Sequence, residues 1–320
     1  MKLSIVTTLY CSAPYIEEFY RRIVAAAEQI TDEFEIIFVN DGSPDDSLEM
    51  TVRLHERDSR VVIVDLSRNF GHHKAMMTGL AYANGELIFL IDSDLEEQPE
   101  LLRLFHQHFS DNTCDVVYGV QRARRGGYLE RLSGSFFYWL VKKVCHIDLP
   151  KNVVTVRIMS RRYVKSLLQH RDREMFIAAL WFETGYRQIP VAIDKATVKP
   201  TSYTFGKKLR MSIDFVTAHS SNLLYYVFYL GLFISFLSFC CLAFFILRYF
   251  VTGQILAGWT SIIASIWMFG GLFVLLIGLV GIYIARIFTE VKQHPYTIIR
   301  DIYSSQETPR EGQKTGANDA

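Results

Sequence analysis

The sequence lacks the short motifs of the commonest nucleotide-binding sites, and it lacks an excess of charge. Neither GxGxxG nor GxxxxGK(S/T) occurs, which excludes the dinucleotide fingerprint and the P-loop. The 320 residues contain 34 Lys and Arg against 33 Asp and Glu, for a formal net charge of +1. Because a general nucleic-acid binder normally has a basic excess, we expect no nucleic-acid partner.

Signals for disulfides and for a leader peptide are also missing. The five cysteines are odd in number and form no CxxC pair, which favours reduced thiols over a disulfide framework or a structural zinc site. The amino-terminal apolar run Leu3 to Tyr10 is brief, reaches Glu17 too soon and has no cleavage site. We therefore expect no signal peptide and a cytoplasmic amino-terminal region.

Charge is absent from two long stretches towards the carboxyl end. Tyr225–Leu247 and Val251–Ala285 contain no charged residue, and each exceeds the roughly 20 residues that a bilayer-spanning helix needs. The sequence predicts a head domain on a two-helix transmembrane hairpin. The expected division is a head at 1–205, a juxtamembrane amphipathic helix at 206–222, transmembrane helices at 223–250 and 259–286, an extracytoplasmic loop at 251–258, and a tail at 287–320, disordered from about 306.

Basic residues set the expected orientation of this hairpin. Three basic residues precede the first stretch, namely Lys207, Lys208 and Arg210, and three follow the second, namely Arg286, Lys292 and Arg300. The connection between the stretches is bordered by Arg248. The positive-inside rule then predicts a multi-pass protein of the inner (cytoplasmic) membrane with the head and both termini in the cytoplasm. The 206–222 helix would lie in the interface and contact membrane lipid.

Short apolar runs alternate with helical patterns through the head. Buried strands are predicted, from short β-branched runs bounded by turn residues, at Leu3–Leu9, Ile36–Val39, Val61–Leu66, Leu87–Ile91 and Val116–Val120. Helices are predicted at Tyr15–Ile30, Ser47–Asp58, His73–Ala83 and Pro99–Phe109. The alternation indicates the α/β class, with a mostly parallel sheet and helices on both faces. Ligands of such a sheet bind beyond the carboxyl ends of its strands.

Acidic residues directly follow two of these strands. Asp92 and Asp94 leave the strand ELIFLI, where two carboxylates could hold a hard cation that also touches a diphosphate. Alternatively, Asp94 or Ser93 caps the helix that begins near Pro99. Glu96 and Glu97 add oxygen ligands but are expected to be solvated.

A second acidic turn, NDGSPDDS, leaves the strand IIFVN. Its Asp41 could accept a hydrogen bond from a base or from a ribose hydroxyl. The alternative is turn chemistry and helix capping, which accounts for Ser43, Asp45 and Asp46 and applies equally to Asp41. The placement of both acidic turns at one sheet edge favours a binding role.

Two basic segments complete the candidate site. Arg68–Lys74 precedes a helix whose first N–H groups could face an anion. The adjacent His72 and His73 point in different directions on a helix, so capping, packing or a substrate hydrogen bond is expected rather than a shared metal. Gln121–Arg131 contains four arginines and two glycines; arginine forks suit phosphate oxygens, and the alternative is a solvated loop.

With these features in place, the chain resembles the family 2 glycosyltransferases that act on polyprenyl phosphates, which include dolichol-phosphate mannose synthase and the bactoprenol sugar transferases. The resemblance runs from Leu3 to about Tyr296. It rests on the opening strand, VNDGSPDDS, SRNFGHHKAMMTGL, DSDLEEQPE, the arginine run with FFYWL, RIMSRR, TSY and GLVGIYIARIFTEVKQHP. The last segment is the most specific, because it recurs at the end of the second span in this class.

The resemblance implies a GT-A catalytic domain that transfers sugar from a nucleotide sugar to a polyprenyl (undecaprenyl) phosphate with Mg²⁺ or Mn²⁺. It implies a metal and diphosphate site formed by Asp92, Asp94 and Glu96. The implied nucleotide contacts are Thr8, Tyr10, Asp41, Arg68 and Asp92. The implied catalytic residues are Asp94, together with Arg122 and Arg131, which would meet the acceptor phosphate.

The sequence departs from the family pattern at three places. Thr8-Leu9-Tyr10-Cys11-Ser12 stands where Pro-x-Tyr-Asn-Glu is usual, Thr155 replaces an acidic residue, and Ser202 replaces a lysine. These changes affect nucleotide and sugar choice more than the chemistry.

Other functions remain open at the level of sequence. A processive polysaccharide synthase would use the same domain, but it normally has a Gln-x-x-Arg-Trp motif and more spans. A non-catalytic membrane scaffold with this fold is a further alternative. Gly281 and Ala285 lie four apart, which is typical of a packing face for the helix pair or for a neighbouring subunit of a homo-oligomer.

Overall fold

A computed structural model describes residues 2–122, 150, 152–170, 177–194, 258–292 and 295–305, with six single residues between 229 and 251. The predicted juxtamembrane helix, most of the first predicted transmembrane helix, Arg131 and the tail beyond 305 lie outside the described residues. The chain divides into two compact units. The first consists of residues 1–127, 149–201 and 295–320, and the second of residues 128–148 and 202–294.

The first unit contains eight strands and six helices in its described part. The strands are β1 (Leu3–Leu9), β2 (Phe34–Asn40), β3 (Val61–Leu66), β4 (Leu87–Leu90), β5 (Val116–Gln121), β6 (Val153–Ser160), β7 (Gln188–Ile193) and β8 (Ile299–Tyr303). The helices are α1 (Ile16–Ala27), α2 (Ser47–Arg57), α3 (His72–Tyr82), α4 (Leu101–Asp111), α5 (Arg161–Leu167) and α6 (Ile177–Glu183). The five predicted strands and four predicted helices are confirmed, with small shifts at their ends.

All eight strands form one sheet in the order β7-β5-β6-β4-β1-β2-β3-β8. The central strands β1 to β4 are parallel, as predicted. β6 lies antiparallel between β4 and β5, and β8 pairs antiparallel with β3 at one edge. The fold is therefore a GT-A-like α/β fold with a mostly parallel sheet.

Apolar side chains cover both faces of the sheet, which explains why its central strands are almost continuously hydrophobic. On one face, Phe19 of α1 and Phe105 of α4 make edge contacts with Phe38 and Phe89. On the other face, α3 packs very close to the sheet. A Cβ atom at Gly79 would lie 2.5 Å from Val6 Cγ1, so glycine at this position lets α3 approach the sheet closely.

The second unit contains α7 (Trp259–Val291), whose side chains are described only in part. Large apolar side chains are exposed along it, namely Ile262, Ile266, Phe273, Ile277 and Ile284. Within the described part of the chain, no helix combines the length and the apolar character that a membrane crossing requires.

Candidate active site

The acidic turns predicted from the sequence lie at one edge of the sheet. β4, β1 and β2 are neighbours and parallel, so the segments that follow them leave at the same carboxyl edge. Asp92 follows β4, Thr8 is near the end of β1, and Asp41 follows β2. The structure therefore brings these three predicted site residues together.

His72, the first residue of α3, connects two of these segments. Its Nδ1 lies 3.0 Å from Thr8 Oγ1 and its Nε2 lies 3.3 Å from Asp92 Oδ1. Burial lowers the pKa of His72, but the hydrogen bond and charge of Asp92 outweigh this effect and raise the pKa above its ordinary value. The sequence predicted capping, packing or a substrate hydrogen bond for His72, and the contact with Asp92 was not predicted because it depends on the tertiary fold.

Asp41 anchors the segment that precedes α3. This residue is 2% exposed, and its two carboxylate oxygens accept hydrogen bonds from Phe70 N–H at 2.7 Å and Gly71 N–H at 3.0 Å. Burial raises the pKa of Asp41 and these two bonds oppose the shift. Part of the acceptor capacity expected for a nucleoside is therefore used to shape the loop.

Gly42 allows the turn after β2 to touch the backbone of that loop. It has a φ of 59°, and a Cβ atom there would lie 2.4 Å from the carbonyl carbon of Arg68. Only glycine fits both conditions. Arg68 itself is exposed, and its guanidinium lies 4.2 Å from the centroid of the Phe70 ring.

The turn after β1 is tied to the turn after β2. Cys11 N–H donates to Ser43 Oγ at 2.7 Å, and Ala13 N–H donates to Asp45 Oδ2 at 3.0 Å. Burial raises the pKa of Asp45, but the hydrogen bonds from Ser43, Ser47 and Ala13 together have the larger effect. The pKa of Asp45 therefore lies below its ordinary value. Turn chemistry is thus confirmed for Ser43 and Asp45, while Tyr10 projects outward with 55% exposure.

The turn after β4 is stabilised by hydrogen bonds within the turn and to β1. Ser93 Oγ donates to Thr8 O at 3.0 Å, and Asp94 Oδ1 accepts from Glu96 N–H at 3.0 Å. α4 begins at Leu101, and its N-cap residue Glu100 makes no side-chain capping bond. The alternative that Asp94 or Ser93 caps this helix is wrong, because both side chains bond within the turn or to β1.

Glu97 is 1% exposed, so the expectation that it is solvated is wrong. Its negative charge acts on Arg157, which is fully buried in β6. Burial lowers the pKa of Arg157 to about 9, and the Glu97 carboxylate opposes this shift. Arg157 also donates to the carbonyl oxygens of Thr155 and Val154, each at 3.1 Å. The burial of both Glu97 and Arg157 was not visible in the sequence.

The predicted acceptor-binding arginines are only partly covered by the structure. Arg122 is exposed at the end of β5, where its N–H donates to Ile193 O at 3.2 Å. Arg131 lies outside the described residues, as do Arg124, Arg125 and Ser202. Their proposed roles stay predictions.

The carboxylates after β4 suit a divalent cation by their chemistry. Among the described residues, no group of three His, Cys, Asp or Glu side chains is arranged to hold a metal. Mg²⁺ is commonly held by one or two carboxylates, with substrate phosphates and water as its other ligands. Asp92 and Asp94 offer two carboxylates for such a donor set, and the role of Glu96 as a further oxygen ligand stays a prediction.

The GT-A-like α/β sheet and the acidic turns at its carboxyl edge are compatible with a glycosyltransferase. Similarity to a glycosyltransferase family and to named glycosyltransferases shows that the protein is an enzyme of this class. Residues 4–168 match the family described as "Glycosyl transferase family 2". The chain belongs to that family.

Similarity to individual proteins extends beyond residues 4–168. The chain is 49% identical over 311 residues to a protein of Mycobacterium tuberculosis named "Putative glycosyltransferases", covering 97% of this chain and 91% of that protein. It is 30% identical over 302 residues to the SfII prophage-derived bactoprenol glucosyl transferase of Shigella flexneri, covering 94% and 98%. A mannosyltransferase of Pyrobaculum calidifontis solved with GDP-Man and Mn²⁺ is 18% identical, covering 68% of this chain and 62% of that chain, with a TM-score of 0.47.

Proposed function

We propose that this glycosyltransferase moves one sugar from a nucleotide sugar to a polyprenyl phosphate such as undecaprenyl phosphate, at the cytoplasmic face of the membrane. The observation that carries the proposal is the meeting of Asp41, His72 and Asp92 at the carboxyl edge of the sheet. Similarity to a bactoprenol glucosyl transferase over 94% of the chain supports the polyprenyl acceptor.

The donor binds across the three turns. The nucleoside lies against the Asp41 turn, with Tyr10 and Thr8 beside it and Arg68 exposed to the phosphates. Asp92 and Asp94, with Glu96 as a further oxygen ligand, would hold Mg²⁺ or Mn²⁺ together with the diphosphate. A divalent cation bound there supplies neutralisation of the negative charge on the leaving group.

The acceptor needs no dedicated general base. A phosphate monoester has its second pKa near about 6, so its oxygen is already ionised at neutral pH. That oxygen forms a bond to the anomeric carbon while the bond from this carbon to the diphosphate breaks, with inversion. Thr155, where an acidic residue is usual in the family, is compatible with this chemistry because no proton has to be removed.

Arginine side chains would hold the anionic acceptor against an anionic donor. Arg122 is exposed at the end of β5, and Arg131 follows it in the same basic segment. Arginine forks bind phosphate oxygens in two-point contacts. Most of the rate enhancement then comes from positioning and from charge stabilisation.

Membrane anchoring by a two-helix hairpin is part of the proposal. It is supported by the uncharged stretches Tyr225–Leu247 and Val251–Ala285. The exposed side chains of α7, such as Phe273 and Ile277, also suit a lipid environment better than water. Both termini and the catalytic unit would face the cytoplasm.

A transfer assay tests the proposal directly. The purified full-length protein is incubated with undecaprenyl phosphate, Mg²⁺ or Mn²⁺, and a panel of UDP-, GDP- and dTDP-sugars, and the lipid product is identified by mass. We expect one sugar per lipid phosphate. A ladder of products with several sugars would favour a processive synthase, and no product with any donor would contradict the proposal.

A further inference from the structure

The strand β8 supplies a charged contact to the interior of the first unit. Asp65, near the end of β3, is 1% exposed. Arg300 Nη1 lies 3.4 Å from Asp65 Oδ2, and Arg300 Nη2 donates to Ser67 O at 2.9 Å. A buried carboxylate needs a compensating charge, and Arg300 provides it from a segment that follows the second apolar stretch.

Asp65 passes this contact on to the turn that contains Asp41. Asn40 Nδ2 donates to Asp65 Oδ1 at 2.8 Å, and Asn40 Oδ1 accepts from Ser43 N–H at 3.2 Å. Asn40 directly precedes Asp41. A continuous path of polar contacts therefore joins Arg300 to both sides of the acidic turn after β2.

The residues before β8 hold the opposite side of the same loop. Ser67 N–H donates to Ile298 O at 2.9 Å. Thr297 Oγ1 lies 2.9 Å from Thr78 Oγ1 of α3, and Lys74 Nζ lies 5.7 Å from the centroid of the Tyr296 ring. The segment 296–300 thus contacts the chain on both sides of the 68–71 loop that Asp41 anchors.

We propose that β8 is a component of the donor site and that Arg300 is a positioning residue for nucleotide binding. Arg300 acts through Asp65 and Asn40 on the geometry of the Asp41 turn, and through Ser67 on the loop beside it. This inference rests on the proposed function, because it assumes that the Asp41 turn binds the nucleoside. It adds that a segment beyond the second apolar stretch sets donor affinity.

Nucleotide binding by the full-length protein tests the inference. UDP, GDP and dTDP are titrated in the presence of Mg²⁺, and the nucleotide that binds most tightly is used for the variants. Arg300→Ala is expected to weaken its binding by about three- to tenfold, the range for a residue that acts through a contact network. Arg300→Lys keeps the positive charge and should recover part of the loss. Arg57→Ala is the matched control, because Arg57 is an exposed arginine that pairs with the exposed Glu17.

Kinetics separate positioning from a general loss of folding. For Arg300→Ala, the donor KM should rise by a similar factor, while kcat and the acceptor KM stay within about twofold. If Arg300→Ala does not fold, Arg300→Gln retains a donor for Ser67 O and is measured in its place. A parallel fall in kcat and rise in both KM values would overturn the positioning role.

A double-mutant cycle tests the route through Asp65. Asp65→Asn keeps a hydrogen-bond acceptor for Asn40 but removes the charge that Arg300 compensates. In this background, Arg300→Ala should weaken nucleotide binding by less than it does in the wild type, because only the contact of Arg300 with Ser67 O is then left to lose. Unchanged nucleotide affinity in Arg300→Ala, when the wild type binds, would overturn the inference and leave the proposed function standing. A wild type that binds no nucleotide would overturn the proposed function together with the inference.

Discussion

His72 Nε2 lies 3.3 Å from Asp92 Oδ1, which joins the first turn of α3 to the end of β4. The other ring nitrogen of His72 lies 3.0 Å from Thr8 Oγ1. A protonated His72 that donates to both oxygens satisfies both contacts, and so does a neutral His72 that accepts from the Thr8 hydroxyl and donates to Asp92. This arrangement fixes the direction of Asp92, one of the carboxylates proposed to hold the cation.

The His72 contact predicts a loss of activity when the side chain is shortened. His72→Ala should lower kcat/KM for the nucleotide sugar by about 10- to 100-fold, as outer-shell partners of metal ligands do. His72→Gln, which keeps a donor near Asp92, should recover part of that loss. Steady-state transfer rates at varied donor concentration measure the effect, with His106→Ala on α4 as the control. Equal activity of His72→Ala and the wild type would show that Asp92 does not need this contact.

Asp94 is predicted to be essential for transfer but not for folding. Asp94→Ala should reduce the transfer rate by at least about 100-fold, because it removes a proposed ligand of the cation beside the leaving diphosphate. Removal of divalent cations by a chelator should have the same effect and be reversed by Mg²⁺ or Mn²⁺. Asp32→Ala, on the exposed segment before β2, is the matched control. Full activity of purified Asp94→Ala would defeat the assignment.

Gly42 is predicted to be intolerant of any side chain. Gly42→Ala should destabilise the protein by about 3 kcal/mol, since left-handed strain adds to a steric clash with the Arg68 backbone. Gly185 is a matched control, because its φ is 75° and no atom lies within 4 Å of an added Cβ. Gly185→Ala should cost only about 1 kcal/mol. Denaturant unfolding of the purified protein measures both, and equal losses would argue against the clash.

Asp115 predicts a pH-dependent contribution to stability. It accepts hydrogen bonds from Ser160 Oγ and Arg162 Nη2, each at 2.8 Å. Burial raises the pKa of Asp115, but these bonds outweigh it and lower the pKa below the ordinary value of 3.8. A lowered folded-state pKa stabilises the protein above about pH 4, and this contribution is lost as the pH falls through the folded-state value.

Thermal unfolding of Asp115→Asn tests this dependence. The variant should melt about 2–4 °C below the wild type near neutral pH. The gap should shrink as the pH falls below 3.8, the ordinary pKa of an aspartate. Asp32→Asn, at an exposed site, serves as the control. A gap that stays constant at acidic pH would contradict the assignment.

The central sheet was predictable from the sequence because its strands are short apolar runs separated by amphipathic helices. β6, β7 and β8 were not predicted, since each breaks that pattern. β6 contains the buried Arg157, β7 contains Pro190, and β8 reads IRDIY, with charged residues inside the strand. Proline is tolerated in β7 because this strand lies at the edge of the sheet.

The position of a site residue was predictable where it depends on the order of strands and helices along the chain. It was not predictable where it depends on side-chain packing. The shared edge of Asp41 and Asp92 followed from the alternation of strands and helices. The burial of Glu97 and the link from His72 to Asp92 required the positions of residues distant in the sequence. The capping role considered for Asp94 was wrong because its carboxylate bonds to Glu96 N–H within the turn.

The pairing of β8 with β3 also affects how soluble fragments of this enzyme should be designed. A fragment that stops before Ile299 leaves the apolar β3 with a row of unsatisfied backbone groups. Such an edge is a template for intermolecular strand pairing and aggregation. A fragment in which residues 295–305 are joined directly to the catalytic unit would keep that edge covered.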